Sequence, residues 1–410
     1  MIMGKIKTIS ENKREINTIK PGDMDKASDA FWEEESKKEE ALKDISGKTY
    51  ASISNVIGSV IKGDKNTVFS PVAMYLALIV LGEITKGKTK EQIDGVTGVT
   101  KADAADIYKA IKTVAQSICG YATSNISSSM WFGEGTDYNH VLLDKLSEQY
   151  QISSYEGKMG TKEMNDAISE WINNATGNVL AEQMNIQTTE DMLLDFFTTI
   201  HFCSSWNNGF WKTRTSNFTL ESGEKVKCQM MHGEDKTLFH EGKKFKALTK
   251  KLNGGYDAIF VLPNKGVSTS DIVCDSQVNE LVSNGYISSS ERCDVTFSMP
   301  MFDIASKIDL INIMKELGIT DVFSPESADF GPMSSAPGLC LSKAEQTTRI
   351  TMDEEGVEAA SCVEMGVMIL GLPPKDREVK FTLNRPFLFF ITANNKLPII
   401  AGKVMNPIIN

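Results

Sequence analysis

Residues 381–391 read FTLNRPFLFFI, and no other stretch of this 410-residue chain says as much about its fold. The apolar run within it continues to position 392, and a second apolar run occupies positions 398–404 after a short polar break. Runs of this length, rich in aromatic and β-branched residues, are typical of β-strands. The end of the chain is therefore predicted to form strands.

The same pattern extends backwards through the second half of the chain. Four further strands are predicted at positions 245–248, 256–262, 295–304 and 379–383, with a helix at 308–317 between them. The first half carries helical signals instead. Ser70 and Pro71 form a capping pair, and the apolar body that follows them ends at Gly82. Apolar residues also recur on one helical face of positions 165–180. Helices followed by strands, without an internal linker or repeat, predict one large α+β domain.

The charge balance narrows the possible partners. The chain carries 43 Lys and Arg against 54 Asp and Glu, which gives a formal net charge of −11. Because a negative surface is repelled by phosphate backbones and anionic lipids, we expect neither nucleic-acid nor membrane binding. No apolar run approaches the roughly 18 to 20 residues of a membrane-spanning helix. The expected partners are proteins or neutral ligands.

The N-terminus and the cysteines favour a cytoplasmic location. Lys5, Lys7, Lys13 and Arg14 are not followed by the apolar core of a secretory signal. The seven cysteines are scattered without CxxC spacing, a pattern typical of reduced thiols and not of a metal site. We therefore expect a leaderless cytoplasmic protein, or one released by a non-conventional route, that needs no metal or cofactor.

Positions 1–43 differ in composition from the rest of the chain. The stretch after Trp32 is crowded with charges, at Glu33, Glu34, Glu35, Lys37, Lys38, Glu39 and Glu40. Such a charge run usually forms a solvated, helical extension, and a partner-binding tail is the alternative. The predicted organisation is a charged N-terminal extension at 1–43 and one domain at 44–410.

One stretch imitates an enzyme motif. Residues 82–89, GEITKGKT, match the phosphate-binding pattern G-x-x-x-x-G-K-[ST]. A P-loop follows a strand, because the strand end and the next helix direct backbone N–H groups at the phosphates, whereas the cap at Ser70 predicts a helix here. No G-x-S-x-G or H-E-x-x-H pattern occurs, and only four histidines could act as bases. The sequence predicts no active site.

The stretch EEGVEAASCVEMGVMIL at positions 354–370 combines a strand pattern with poor strand formers. In steps of two, Val357, Ala359 and Ser361 fall on one face, and Glu358 and Ala360 fall on the other. Glutamate, glycine and paired alanines disfavour strands, and two prolines with four charged residues follow as an exposed connection. The segment can therefore join a sheet while being held out of one. An ordinary edge strand followed by a loop is the alternative.

This segment resembles the hinge and reactive-centre loop of the serpins, and positions 381–391 match the serpin signature throughout. Gly356 precedes Phe381 by 25 residues, a spacing typical of the family. The resemblance extends over nearly all of the chain after residue 44, including 67–82, 168–179, 200–206 and 297–323. It implies the serpin fold, an α+β domain of three β-sheets and about nine helices with an exposed reactive-centre loop at about 354–378.

The resemblance also implies a mechanism, the trapping of a protease by a suicide substrate. A target serine protease would attack the bond between Leu370 and Gly371, with Met368 as the fallback cleavage residue, and form an ester with the loop. The freed hinge would then insert into the central sheet and carry the acyl-enzyme to the far pole. By this resemblance the hinge comprises Glu354, Glu355, Gly356, Val357, Glu358, Ala359, Ala360 and Ser361.

Two control regions of the central sheet can be assigned by the same resemblance. Trp206 corresponds to the tryptophan of the breach, where the loop enters the sheet. The shutter, below the opening, corresponds to Ser70, Thr198 and Gln346. The His/Asn pair of the family maps onto Gln346 and Thr198, so that hydrogen bond is not expected here.

The side chain before the cut predicts the target. Leu370 suits the hydrophobic primary pocket of chymotrypsin or cathepsin G, with elastase-like proteases second, and does not suit a trypsin-like pocket. The stretch 101–119, which resembles helix D, lacks clustered Lys and Arg, so heparin binding is not expected. We expect a monomer. The alternative is a non-inhibitory serpin that acts as a chaperone, carrier or storage protein.

Overall fold

The computed structural model describes residues 6–10, 24–45, 47–100, 102–117, 122–180, 186–357, 376–393 and 397–408, with the backbone alone for 24–28. Its helices are α1 Met24–Ala41, α2 Gly47–Val60, α3 Pro71–Glu83, α4 Gly87–Thr97, α5 Ala104–Ala115, α6 His140–Tyr150, α7 Lys162–Ala175, α8 Thr269–Ile272, α9 Ser276–Asn284 and α10 Ile311–Glu316. Its strands are β1 Lys7–Ser10, β2 Thr67–Phe69, β3 Ala122–Gly133, β4 Ile152–Gly157, β5 Leu194–Ser205, β6 Lys212–Thr219, β7 Lys225–Glu241, β8 Phe245–Lys251, β9 Tyr256–Pro263, β10 Glu291–Pro300, β11 Phe302–Asp309, β12 Glu345–Met352, β13 Gly356–Val357, β14 Arg377–Thr382, β15 Phe387–Ala393 and β16 Leu397–Val404. The predicted α+β class is confirmed.

Within the described ranges, the strands form two hydrogen-bonded networks. The central sheet has seven strands in the order β1-β4-β3-β5-β13-β12-β11. The second network has nine, in the order β14-β10-β7-β8-β9-β15-β16-β2, with β6 paired to β7. Strand β7 is 17 residues long; its middle pairs with β10 and its last three residues pair with β8. Strand β7 therefore joins two of the three sheets that the resemblance predicts into one hydrogen-bonded network.

Strand β15 explains why the stretch 381–391 is apolar at successive positions. Every residue of β15 is buried, since the strand lies between β9 and β16 and is covered on both faces. Phe387 and Phe389 pack against Phe302 of the central sheet, with ring centroids 6.1 and 5.4 Å away. Leu388 and Phe390 belong to the other core cluster, which contains residues of α2 and α3. A strand between two apolar layers cannot alternate with polar residues.

The helix predicted after Ser70 is confirmed, and it rules out the P-loop interpretation. The Ser70 hydroxyl accepts a hydrogen bond from the backbone N–H of Ala73 at 3.1 Å, which caps α3. Helix α3 continues through Gly82 to Glu83, so the motif begins inside a helix. The strand that would direct backbone N–H groups at phosphates does not precede it.

Several predicted boundaries were wrong. Helix α7 ends at Ala175, not at 180, because Gly177 and Asn178 adopt left-handed backbone angles. The strand predicted at 295–304 is two strands, β10 and β11, which belong to different sheets and separate at Met301. The helix predicted at 308–317 begins only at Ile311, where the Asp309 carboxylate accepts the backbone N–H at 2.9 Å. Strand β14 begins at Arg377, so the loop expected to reach 378 overlaps it.

The charged extension contains one strand and one helix in its described part. Glu33 and Lys37 of α1 form an exposed ion pair, as a solvated charge run predicts. Lys38, in contrast, is fully buried, because that side of α1 lies against the domain. No helix in the described ranges is both long and apolar enough to cross a membrane.

Candidate functional site

The hinge begins as a short strand in the central sheet. Strand β13 lies between β5 and β12, with Gly356 opposite Ser205 and Val357 opposite both Ser204 and Met352. Val357 is 1% exposed, so its side chain faces inward as the alternation predicted. Both pairings are antiparallel, which means that a strand continuing beyond Val357 would match both neighbours. Beyond this point the two described strands β5 and β12 make no ladder with each other.

Gly356 occupies a position that has no room for a side chain. A Cβ atom there would overlap the carbonyl oxygen of Ser204 and lie 2.8 Å from the Cα of Ser205. The hinge backbone can therefore approach the end of β5 only because this residue lacks a Cβ.

Asp353 holds the turn that leads into the hinge. One carboxylate oxygen accepts hydrogen bonds from the backbone N–H groups of Glu355 at 2.9 Å and Gly356 at 3.1 Å. The Asp353 N–H in turn donates to the carbonyl of Gly356 at 3.1 Å. Asp353 was absent from the predicted site, although an aspartate three residues before a glycine is a recognisable turn signal. Glu354 and Glu355 project from this turn as exposed residues.

Trp206, the predicted breach tryptophan, lies beneath that turn. The indole N–H donates to the backbone carbonyl of Asp353 at 2.8 Å, and the backbone N–H donates to the carbonyl of Glu355 at 3.3 Å. The side chain is buried and meets Phe210 edge to face, with centroids 5.4 Å apart. One residue thus connects the end of β5 to the segment that precedes the hinge.

A buried lysine lies beside Trp206. The ammonium group of Lys250 is 5.7 Å from the centroid of the Trp206 ring and 5.0 Å from that of Phe210. It donates to the Asp235 carboxylate at 3.0 Å and to the carbonyl of Asn208. Burial lowers the pKa of Lys250, and the Asp235 carboxylate opposes this effect. Lys250 is one of three lysines in β8, and the sequence gives no signal of its role because its partners are distant in sequence.

Asn253 fixes the end of β5, to which the hinge is paired. The Asn253 carbonyl accepts a hydrogen bond from the Ser204 hydroxyl at 3.0 Å. Its side-chain amide donates to the Ser205 hydroxyl at 2.7 Å. The adjoining residue Leu252 forms an isolated β-bridge with Trp206. The turn at 252–255, which directly precedes β9, therefore supports the breach.

The three shutter residues do not form one cluster. Gln346 hydrogen-bonds the backbone of Ser70, accepting from its N–H at 2.9 Å and donating to its carbonyl at 3.1 Å. The Thr198 hydroxyl is instead 3.1 Å from that of Ser128 on the neighbouring strand β3. Each residue is thus tied to its own side of the gap between β5 and β12. In place of the family's His/Asn hydrogen bond, there are two separate attachments, of Gln346 to Ser70 and of Thr198 to Ser128.

The gap between β5 and β12 is bordered by a small cavity. Ile200 of β5, Ile350 of β12 and Val179, which follows α7, contribute to its wall. Arg349 of β12 pairs with the Asp303 carboxylate at 2.6 Å and also donates to the carbonyl of Val179 at 3.4 Å. The segment after α7 is therefore attached to the β12 side of the gap.

Part of the predicted site lies outside the described residues. This applies to the reactive bond of Leu370 and Gly371, to the fallback residue Met368, and to the hinge residues Glu358, Ala359, Ala360 and Ser361. Within the described ranges, no group of three or more His, Cys, Asp or Glu side chains is placed to hold a metal ion. The five cysteines described there, Cys203, Cys228, Cys274, Cys293 and Cys340, are free thiols.

Comparison with known proteins identifies this arrangement. A family model described as "Serpin (serine protease inhibitor)" matches residues 50–407. Serpin B11 of Mus musculus is 25% identical over 366 residues, which is 84% of this chain and 94% of the relative. Alpha-1-antiproteinase of Rattus norvegicus is 25% identical over 353 residues, which is 83% of this chain and 84% of the relative.

Solved structures share the fold. The thermophilic serpin tengpin in its native state superposes with a TM-score of 0.76 at 22% identity, over 88% of this chain and 93% of that chain. Thyroxine-binding globulin in complex with thyroxine gives 0.73 at 20% identity, over 88% and 99%. Proteins of this family are in general protease inhibitors and not enzymes. The family match across residues 50–407 shows that the chain belongs to the serpin family.

Proposed function

We propose that this protein inhibits serine proteases of the chymotrypsin or cathepsin G type, with elastase-like enzymes second, by trapping the acyl-enzyme. The reactive bond is that between Leu370 and Gly371. A leucine before the cut fills an apolar primary pocket and offers no cation to the carboxylate of a trypsin-like pocket. We expect it to act as a monomer, and each molecule is consumed by one protease.

The observation that carries this proposal is the placement of β13. Gly356 and Val357 already pair with β5 on one side and with β12 on the other. Beyond Val357 the described parts of β5 and β12 form no ladder with each other, so a strand that continued along this line would lie between them, above an apolar interior. The direction of the hinge therefore matches the direction in which the cleaved loop has to move.

The energetics favour this movement after cleavage. A new internal strand of about a dozen residues gains ladder hydrogen bonds at roughly 0.5 to 1.5 kcal/mol each. Burial of its inward side chains adds about 25 cal/mol per Å². The sum is on the order of 10 kcal/mol, comparable with the whole stability of an ordinary domain. Insertion can thus supply enough free energy to distort a bound protease.

The direct test is incubation of the intact protein with chymotrypsin, cathepsin G, elastase and trypsin, followed by denaturing gels. We expect a complex that resists SDS with chymotrypsin or cathepsin G, and cleavage without a complex with trypsin. Sequencing of the released C-terminal peptide should begin at Gly371. A peptide that begins at Ile369 would assign the cut to Met368 instead.

A matched variant separates trapping from simple cleavage. In the intact protein the Val357 side chain is already buried between β5 and β12, at 1% exposed, so Val357→Arg makes it costly to hold the start of the hinge strand in the sheet, which insertion requires, while the cleavage site is unchanged. We expect this variant to be cut at the same bond but to form at most a trace of complex. If the wild-type protein is also cut without a complex, and its melting temperature does not rise after cleavage, the carrier, chaperone or storage alternative is favoured.

A further inference from the structure

Two described parts of the N-terminal extension, β1 and α1, lie before the region matched by the family model, which begins at residue 50. Both are packed on the domain. We define these parts, residues 6–10 and 24–41, as the brace. The contacts of β1 lie at the outer edge of the central sheet, and those of α1 lie near the breach. Both belong to the half of the sheet, formed by β4, β3 and β5, that has to move when a strand is inserted.

Strand β1 covers the outer edge of the central sheet. It runs antiparallel to β4, with Lys7 opposite Glu156, and the Lys7 ammonium lies 3.1 Å from the Glu156 carboxylate. Ile6 lies directly beside Gly157 and packs against the cluster beneath α7, which includes Trp131. Through Ile6, β1 is therefore attached both to the sheet edge and to the helix that crosses the sheet.

Helix α1 is held by a buried charge. The Lys38 ammonium lies 2.8 Å from the Glu34 carboxylate and 3.2 Å from that of Glu35, and 5.3 Å from the centroid of the Tyr256 ring. Burial lowers the pKa of Lys38, but Tyr256 and the two carboxylates outweigh it, so the pKa lies above its ordinary value. The Tyr256 hydroxyl donates to the carbonyl of Ala115, the last residue of α5, at 3.0 Å. The lysine thus joins α1 to the first residue of β9 and to the end of α5.

A further contact of α1 connects it to the breach. The Glu35 carboxylate covers Gly255, where an added Cβ would lie 2.9 Å from one of its oxygens. Gly255 ends the turn whose residue Asn253 holds Ser204 and Ser205, the residues opposite the hinge strand. Helix α1 therefore supports, through one turn, the end of β5 to which Gly356 and Val357 are paired.

A strand inserted beyond Val357 lies about 4.8 Å from each of its neighbours, so its entry depends on how far β5, with β3 and β4, stands from β12. Contacts that hold these strands before insertion, and that are weaker at the transition state, raise the barrier to insertion. We propose that the brace is an intramolecular regulator, which slows loop insertion by fixing the breach and the outer sheet edge, and whose release speeds insertion. The proposal deepens the proposed function, because it concerns the control of the same sheet.

The first test measures the breach directly and needs no protease. Backbone amide exchange of residues 203–207 and 353–357 is followed in the full-length protein and in Lys38→Met, which keeps the volume of the side chain but removes its charge. We expect exchange at the breach to become about tenfold faster. Lys37→Met is the matched control, because Lys37 is the neighbouring lysine and its side chain is 65% exposed.

The second test fixes the brace instead of loosening it. Lys7 and Glu156 face each other in the β1–β4 ladder, a separation compatible with a disulfide, so Lys7→Cys combined with Glu156→Cys should join the strands. The quantity measured is the rate at which a synthetic peptide of residues 356–369 is incorporated into the central sheet. Incorporation is detected as a rise in the melting temperature of the protein. We expect the disulfide to slow incorporation and dithiothreitol to restore it, whereas Lys38→Met should accelerate incorporation.

The proposal and the proposed function can fail separately. If exchange in Lys38→Met rises within α1 but stays within about twofold of the wild type at the breach, α1 is not coupled to the breach and the brace is refuted. Equal incorporation rates for the oxidised, reduced and wild-type proteins would refute the role of β1. If the protein traps no protease although exchange and peptide incorporation both change as expected, only the proposed inhibitor function is contradicted.

Discussion

The side-chain amide of Gln346 forms two hydrogen bonds with the backbone of Ser70, 276 positions earlier in the chain. Ser70 is the N-cap of α3, and Gln346 lies near the start of β12. Both residues are buried. The pair therefore attaches the β12 side of the central sheet to the helix beneath it, while Thr198 on the other side of the gap contacts Ser128.

Replacing Gln346 should loosen this attachment. Gln346→Met keeps a similar volume but leaves the buried N–H of Ser70 without its partner, at a cost of about 2 kcal/mol, while the Ser70 carbonyl keeps its hydrogen bond from the N–H of Met74. We expect a lower melting temperature and faster incorporation of the 356–369 peptide. Gln229→Met is the control, because its amide bonds only the exposed Thr215 hydroxyl at 3.3 Å. Equal melting temperatures for both variants would contradict the role of Gln346.

Gly356 should not tolerate a methyl group. In Gly356→Ala the added Cβ would collide with the backbone of Ser204 and Ser205, so the hinge strand should leave its position between β5 and β12. We expect protection of the Val357 amide against exchange to fall by at least about tenfold. Gly209→Ala is the control, since a Cβ at Gly209 meets no atom within 4 Å. Unchanged protection in Gly356→Ala would show that the backbone accommodates the methyl group.

Asp353 offers a pair of variants that differ in a single property. Asp353→Asn keeps a side-chain oxygen that can accept from the N–H groups of Glu355 and Gly356, whereas Asp353→Ala removes it. We expect Ala, but not Asn, to destabilise the turn, by about 1 to 2 kcal/mol. The melting temperature and the Trp206 fluorescence should report this, since the Trp206 indole bonds the carbonyl of Asp353. Identical behaviour of the two variants would mean that a side-chain oxygen at position 353 is not sufficient to hold the turn.

Asp195, in β5, should make stability depend on pH. Burial raises the pKa of its carboxyl to about 6, and the positive charge of Lys343 opposes this shift. The folded protein therefore keeps the proton up to about pH 6, whereas the unfolded chain releases it near pH 4. The stabilising effect of this proton is complete below about pH 4 and is lost as the pH rises through 6.

Asp195→Asn should remove this dependence. At pH 7.5 we expect the variant to be more stable than the wild type by about 3 kcal/mol, and at pH 4 we expect the difference to vanish. Thermal unfolding across this pH range measures the effect, with Asp144→Asn on the exposed face of α6 as the control. A stabilisation that is equal at both pH values would contradict the assignment to Asp195.

The sequence predicted the main elements well because their signals are local. The cap at Ser70 and the apolar run after it determine α3 within a few turns of chain, and the paired apolar runs near the C-terminus are β15 and β16. One boundary was wrong because a neighbour in space decided it. The division between β10 and β11 at Met301 depends on which sheet each strand joins, and an apolar run carries no such information.

The candidate site divides in the same way. Gly356, Val357 and Trp206 were found because their spacing resembles a family pattern, whereas Asp353, Lys250 and Asn253 were not. The roles of these three residues depend on partners in other strands, such as Asp235 for Lys250 and Ser205 for Asn253. The burial of Lys38 was likewise hidden in a run of charges that predicts solvent exposure.

The sequence by itself determined the α+β class, the family and the order of hinge and buried strands. Hydrophobic periodicity, helix caps and motif spacing are properties of the amino-acid sequence alone. Only the tertiary structure decided that Gln346 is tied to Ser70 and not to Thr198, and that one lysine of α1 is buried. These outcomes depend on which surfaces meet after folding, since the free energy of a buried polar group is set by the partners that surround it.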